Sequence, residues 1–223
     1  MREAFKKSPV TIFLLGLTTL IFIAMQILYF GNATSTQAVF EFGGMYGAYI
    51  KYFPSQIWRL ITPIFVHIGW EHFFFNALTL YFVGQIAEQI WGSHKFLALY
   101  ILSGITGNVF TLFFTPKVVA AGASTSLFGV FAAIMIVGYF GRNPYLKELG
   151  RAYQALIAIN LLFNLFMPNV GITGHIGGLL GGALCAVFLP TFLERNMFKK
   201  WQRLVAAGAY ILITVVLVGM ALF

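Results

Sequence analysis

The chain has 223 residues, of which 60% are hydrophobic and only 9% charged. Soluble domains carry about 25% charged residues, so this balance excludes an ordinary soluble protein and leaves no room for a separate soluble domain. The net charge of +8, in a chain this apolar, points to cytoplasmic loops and anionic lipid headgroups rather than to nucleic acid. Cys185 is the only cysteine and lies in an apolar run, so neither a disulfide framework nor a Cys-based metal site is expected.

A bilayer-spanning helix needs about 20 apolar residues. The first such run is Val10 to Phe30, preceded by Arg2, Lys6, Lys7 and Pro9. It is long for a signal-peptide core and further spans follow, so an uncleaved first span is expected. Residues 31–56 read as a long loop rich in glycine and aromatic residues. In Ile57 to Ile68 the apolar pattern is broken by Trp58-Arg59, Pro63 and His67, which suggests a loop half-sunk among headgroups. Gly69 ends it, and a second span is expected from Trp70 to Ile90, with Glu71 suiting its positive N-terminal end. The third span is expected over Phe96–Phe114, the fourth over Val118–Phe140 and the fifth over Ala152–Phe166 after a polar loop opened by Gly141-Arg142-Asn143-Pro144. Pro168-Asn169 and Gly171 break the fifth. The sixth is expected over Val170–Leu193 and a seventh over Leu204–Phe223.

With the N-terminus inside, the cytoplasmic segments hold 11 basic residues: Arg2, Lys6, Lys7, Lys95, Arg142, Lys147, Arg151, Arg195, Lys199, Lys200 and Arg203. The external segments hold 3, Lys51, Arg59 and Lys117. The positive-inside rule favours this orientation.

Two polar residues then stand at matching depth. Ser124 lies six residues into span four and His175 five into span six, both roughly 8–9 Å below the outer boundary at about 1.5 Å per residue. An intramembrane histidine is costly and so a functional suspect, and a serine is the nucleophile that such a base activates. Gly174, Gly178 and Gly182 recur every four residues in span six, with Gly177 and Gly181 beside them, and span four offers Gly122, Ser126, Gly129, Ala132 and Ala133. Small residues so spaced let helices approach to backbone contact, which would bring His175 within about 3 Å of Ser124. His72 and Asn76, four apart, share one face of span two and are candidate oxyanion donors together with the Ser124 N–H. The chain has no Asp, and Glu71 and Glu88 sit at unsuitable depths, so the expectation is a Ser–His dyad. Ser126 is a rival nucleophile on nearly the opposite helix face. His67-x4-His72 does not match the zinc-protease pattern His-Glu-x-x-His.

Taken together these residues resemble the rhomboid family of intramembrane serine proteases. The resemblance rests on Trp58-Arg59, His67, His72-x-x-x-Asn76, Glu88 followed by Gly92-Ser93-His94-Lys95, the Gly-x-Ser segment ending at Ser124, and Gly174-His175-x-x-Gly178. It implies an all-α membrane protein: a six-helix transmembrane core within residues 1–203 and an additional C-terminal span over 204–223. It implies Ser124 as nucleophile, His175 as general base, and His72 and Asn76 as transition-state stabilisers. Trp58, Arg59, Glu88, Gly122, Phe128, Gly174 and Gly178 would give structural support. Substrates would be transmembrane proteins, cleaved within or beside their spans from a site opening to the external face of the cell membrane, with no metal and no cofactor. Two departures stand out. Thr125 follows the serine where the family usually has Gly, and Phe128 replaces a frequent Tyr. Thr125 is expected in ordinary helical geometry, its hydroxyl bonded to the preceding turn. Two other readings stay open: an inactive relative that binds membrane clients, and a small transporter, for which Asn108, Asn160 and Asn164 within spans would be the signal.

Overall fold

The computed structural model describes residues 8–166 and 171–223. The basic residues Arg2, Lys6 and Lys7, the break at Pro168-Asn169 and the start of span six at Val170 lie outside these residues. Among the described residues are seven helices of 17 residues or more: α1 (Pro9–Leu28), α4 (Gly69–Trp91), α5 (Ser93–Phe114), α6 (Ser124–Phe140), α7 (Pro144–Phe166), α8 (Ile172–Phe188) and α9 (Lys200–Leu222). Between α1 and α4 lie the short helices α2 (Thr36–Glu41) and α3 (Gly47–Tyr52), the strand β1 (Met45–Tyr46) and two 3₁₀ turns, Pro54–Leu60 and Thr62–Phe65. Helices α1, α5, α7 and α9 are long and apolar enough to cross a membrane, and the apolar α6 and α8 have 17 residues each. Their outward faces keep Leu20, Phe163 and Val215 more than 60% exposed, as a lipid-facing surface requires. The chain is an all-α, multi-pass membrane protein.

Glu88, near the end of α4, holds the start of α1. Its carboxylate accepts from the Val10 and Thr11 N–H groups at 3.0 and 2.8 Å and from the Thr11 hydroxyl at 2.7 Å. The first N–H groups of a helix lack internal partners and carry partial positive charge, so a carboxylate there both satisfies and neutralises them. Glu194 does the same at the approach to α7, accepting from the Arg142 and Asn143 N–H groups.

The loop between α1 and α4 is built on Arg59. Its guanidinium donates to the Phe40 and Gly44 carbonyls at 2.7 and 2.9 Å and lies 4.0 Å over the Phe40 ring. Arg59 is 5% exposed, so it does not reach out to headgroups as expected. The two carbonyls lie close together in this irregular backbone, and the guanidinium reaches both from one buried side chain. Trp58 stays 41% exposed beside it. Asn108 of α5 anchors the same loop by donating to the Leu60 carbonyl at 2.9 Å.

Strand β1 pairs antiparallel with β2 (Val119–Ala120), Met45 opposite Ala120 and Tyr46 opposite Val119. This corrects the expected start of the fourth span at Val118. The segment before Ser124 is extended because its backbone groups are taken by β1 and by the Pro63 carbonyl, which accepts from Gly122 N–H at 2.8 Å. Helix α7, in turn, begins at Pro144, inside the stretch read as a polar loop. Leu146, Gly150, Tyr153 and Ile157 form its buried face, a helical period that a search for apolar runs passes over. Helix α8 ends at Phe188 rather than continuing to Leu193, because Pro190 offers no N–H to prolong it.

Helix α8 lies at the centre, packed most closely against α5 and α6. A Cβ at Gly178 or Gly182 would overlap the Thr125 or Gly129 carbonyl of α6, and one at Gly177 would lie 2.8 Å from the Thr106 carbonyl of α5. Hydrogen atoms at these positions let three helices meet backbone to backbone. Gly138 and Gly150 make a similar contact between α6 and α7. Helix α9 packs on α5 and α8, with Tyr210 donating to the Leu102 carbonyl at 2.9 Å.

Candidate active site

The extended segment and the α8 contact together position Ser124. Gly122 has φ +132, a value that L side chains rarely adopt. A Cβ there would lie 2.6 Å from Cε1 of His72, so the glycine both makes the turn and leaves room for that imidazole. The next residue, Ala123, donates its N–H to Nε2 of His67 at 3.2 Å. Helix α6 then opens at Ser124 itself, not six residues earlier.

His175 stands in the first turn of α8 and is 7% exposed. Its Nε2 lies 2.9 Å from Ser124 Oγ. The ring stacks on Phe128, with centroids 4.2 Å apart and planes 10° from parallel. Phe128 is one turn below Ser124 on α6, so the helix that carries the serine also fixes the plane of the ring. Gly174 and Gly178 flank His175 and allow the close approach: a Cβ at Gly174 would sit 3.1 Å from the Thr125 methyl. A serine hydroxyl on an imidazole nitrogen can be deprotonated as it attacks an electrophile.

His72 and Asn76, on the first turns of α4, line one cavity with Ser124 and His175, about 510 Å³ in volume. The Ile68 N–H donates to Nδ1 of His72 at 3.3 Å. In the neutral ring Nε2 then carries the proton, beside Gly122. Asn76 donates one amide hydrogen to the His72 carbonyl at 2.8 Å, leaving a second. At the start of α6, the Ser124 and Thr125 N–H groups precede the first intrahelical bonds. The arrangement gathers neutral hydrogen-bond donors around the serine.

The places of His67 and the Thr125 hydroxyl differ from the sequence reading, whereas Glu88 and Ser126 lie away from His175, in keeping with their depth and helix face. His67, read as interfacial, is fully buried and serves as an acceptor for the backbone just before the serine. Glu88 lies at the opposite end of α4, bonded to the start of α1. Thr125 is helical, but its buried hydroxyl has no partner in the described residues. The expected bond to the preceding turn is absent because residues 119–123 form no helical turn. Instead the Thr125 side chain fills the space left by two glycines of neighbouring helices: a Cβ at Gly107 would lie 2.7 Å from Thr125 Cβ. Ser126 is fully buried and turned toward Gly104 of α5 and Ile64.

Asn164 was seen in the sequence only as a polar residue within a span. Its Nδ2 lies 2.7 Å from Nδ1 of His175. The available signal was its spacing: Asn160 and Asn164 repeat on one face of α7, as His72 and Asn76 do on α4, and both line the cavity. Among the described residues no group of three or more His, Cys, Asp or Glu side chains could hold a metal ion.

A multi-pass helical protein that holds a half-buried serine against a buried histidine has counterparts among known proteins. The rhomboid domain model matches residues 54–192. The chain is 37% identical over 196 residues to Rhomboid protease GluP of Bacillus subtilis (strain 168), covering 84% of this chain and 38% of that protein. It is 30% identical over 166 residues to Rhomboid-like protease 3 of Toxoplasma gondii, covering 73% and 62%. It is also 32% identical over 152 residues to Inactive rhomboid protein 2 of Homo sapiens, covering 66% of this chain and 18% of that protein. The chain thus spans less than two thirds of the length of these relatives. It belongs to the rhomboid family.

Proposed function

We propose that the protein is an intramembrane serine endopeptidase that cleaves transmembrane proteins within or beside their membrane spans. The observation that carries this reading is the 2.9 Å contact between Ser124 Oγ and His175 Nε2 at the mouth of α6, inside a cavity lined by His72 and Asn76. Ser124 Oγ attacks the scissile carbonyl while Nε2 of His175 takes its proton. The carbonyl oxygen gains negative charge, which the His72 Nε2–H, the free Asn76 amide hydrogen and the α6 N-terminal N–H groups stabilise. Collapse of the tetrahedral intermediate expels the amine, which takes the proton from His175 and leaves an acyl-serine. Water then attacks the ester with His175 again as base, returning Ser124. Each proton has a named carrier, and no metal or cofactor enters.

The remaining predicted site residues act in support. Gly122 makes the turn and seats His72. Phe128, Gly174 and Gly178 set the ring and the helix spacing. Trp58 and Arg59 organise the loop whose strand aligns residues 119–120, and Glu88 ties α1 to α4. The bilayer is the working environment and transmembrane proteins are the partners. Purified protein in liposomes tests the reading: it should cleave a co-reconstituted single-span substrate, and no cleavage of any of a panel of such substrates would refute it.

His72→Ala and Asn76→Ala should each lower kcat by about a hundredfold, as for the loss of one strong oxyanion donor, with KM little changed. A rise in KM alone would assign both residues to substrate binding.

The 11-to-3 distribution of basic residues supports a cytoplasmic N-terminus in the cell membrane, with the Ser124 end of α6 facing outward. In a Cys185→Ala background, a membrane-impermeant maleimide should label Lys117→Cys from outside intact cells. Labelling of Arg2→Cys from outside would invert the topology.

A further inference from the structure

The imidazole of His175 has a second partner besides Ser124, and nothing in the dyad uses it. Asn164 places its amide 2.7 Å from Nδ1. The helix that carries it is anchored elsewhere: the buried residues of α7 are Leu146, Gly150, Tyr153 and Ile157. Beyond them Ile159, Leu162, Phe163, Leu165 and Phe166 are all more than 50% exposed. At this end of α7 Asn160 and Asn164 both line the cavity, and of the two it is Asn164, half-buried in the cavity wall, that meets the histidine.

The two faces of the amide have opposite consequences, because a half-turn exchanges its oxygen and nitrogen. With Nδ2 toward the ring, Asn164 donates to a bare Nδ1. The ring proton then sits on Nε2, and His175 cannot take a proton from Ser124. With Oδ1 toward the ring, Asn164 accepts the Nδ1–H, and the bare Nε2 faces the serine. No carboxylate among the described residues is placed to do this instead. The groups about the ring are Ser124 and Phe128 of α6, Thr111 of α5 and, across the cavity, the His72 imidazole of α4. Glu88 is engaged at the far end of α4.

We propose that Asn164 is a positioning residue for His175: its Oδ1 accepts the Nδ1–H and so fixes the ring in the tautomer that can act as base. This rests on the proteolytic reading and deepens it. The end of α7 then contributes to catalysis through the histidine, without touching the substrate.

The test joins turnover to a direct view of the ring. In protein with ¹⁵N-labelled imidazoles, signals of His175 are identified by their loss in His175→Ala. The wild type should show a protonated Nδ1 and a bare Nε2, and Asn164→Leu should move the proton toward Nε2. The same substitution should lower kcat by about tenfold or more, with KM within about twofold, since only the base is affected. Asn164→Asp should restore kcat. It should also move the acidic limb of the kcat–pH profile up by about one unit, because a carboxylate beside the ring favours its protonated form, so that the base is lost at a higher pH. A purely structural role would lower thermal stability and leave that limb in place. Unchanged ring signals in Asn164→Leu, or wild-type kcat in that variant, would overturn the proposal. If the wild type cleaves nothing and reacts with no fluorophosphonate, the proteolytic reading fails by itself, while the ring signals still decide what Asn164 does.

Discussion

Ser124→Ala is expected to abolish proteolysis, by about 10⁴-fold or more, while leaving the fold intact, and His175→Ala to do the same. Both losses follow from the 2.9 Å contact: a serine hydroxyl without its base is a poor nucleophile, and the base without the serine has nothing to activate. Because the two act as a unit, the double variant should be no more than about tenfold worse than either single one. The measurement is cleavage of a single-span substrate by purified variants, with thermal unfolding as the control for folding. Multiplicative losses in the double variant would show independent roles. Ser126→Ala should keep substantial activity, since its side chain is turned toward Gly104 and Ile64.

The second large effect concerns stability. Gly182→Val is expected to destabilise the protein by about 3 kcal/mol or more, at or beyond the upper range for overpacking a core. A Cβ at Gly182 would overlap the Gly129 carbonyl, and backbone cannot swing aside as a flexible side chain can. Separating α8 from α6 would also pull His175 from Ser124, so activity and stability should fall together. Gly208→Val on α9 is the matched control, because nothing among the described residues lies within 4 Å of its added Cβ. Thermal unfolding in detergent compares the two. A wild-type midpoint for Gly182→Val would show that the helices are not packed at backbone contact.

Much of this was legible in the sequence because membrane helices announce themselves by apolar length and glycine spacing. That α8 meets a neighbour at backbone contact is readable from Gly174, Gly178 and Gly182. Their partners were only partly readable: Thr125 and Gly129 face them, whereas Gly122 serves the turn and Ser126 faces α5. The depth match between Ser124 and His175 picked out two side chains that do meet, but through a wrong helix start. Val118 to Ala121 are apolar, and apolarity does not separate a short buried strand from a helical turn. The strand is set by β1, more than 70 residues earlier, which no local pattern encodes. The depth of Glu88 excludes it as a third member beside Ser124 and His175 but does not say what it binds. Its bonds to the start of α1, 77 and 78 residues away, are equally non-local. Asn164 could be seen as a face-sharing partner of Asn160, but its contact with His175 depends on how α7 leans against α6.

The most direct measurement of the central claim is to incubate the folded protein in detergent with a fluorophosphonate and map the modified residue by peptide mass spectrometry. Covalent modification of Ser124 is expected, lost in Ser124→Ala and greatly slowed in His175→Ala. A folded protein that takes up no probe, or carries it on Ser126, would contradict Ser124 as an activated nucleophile.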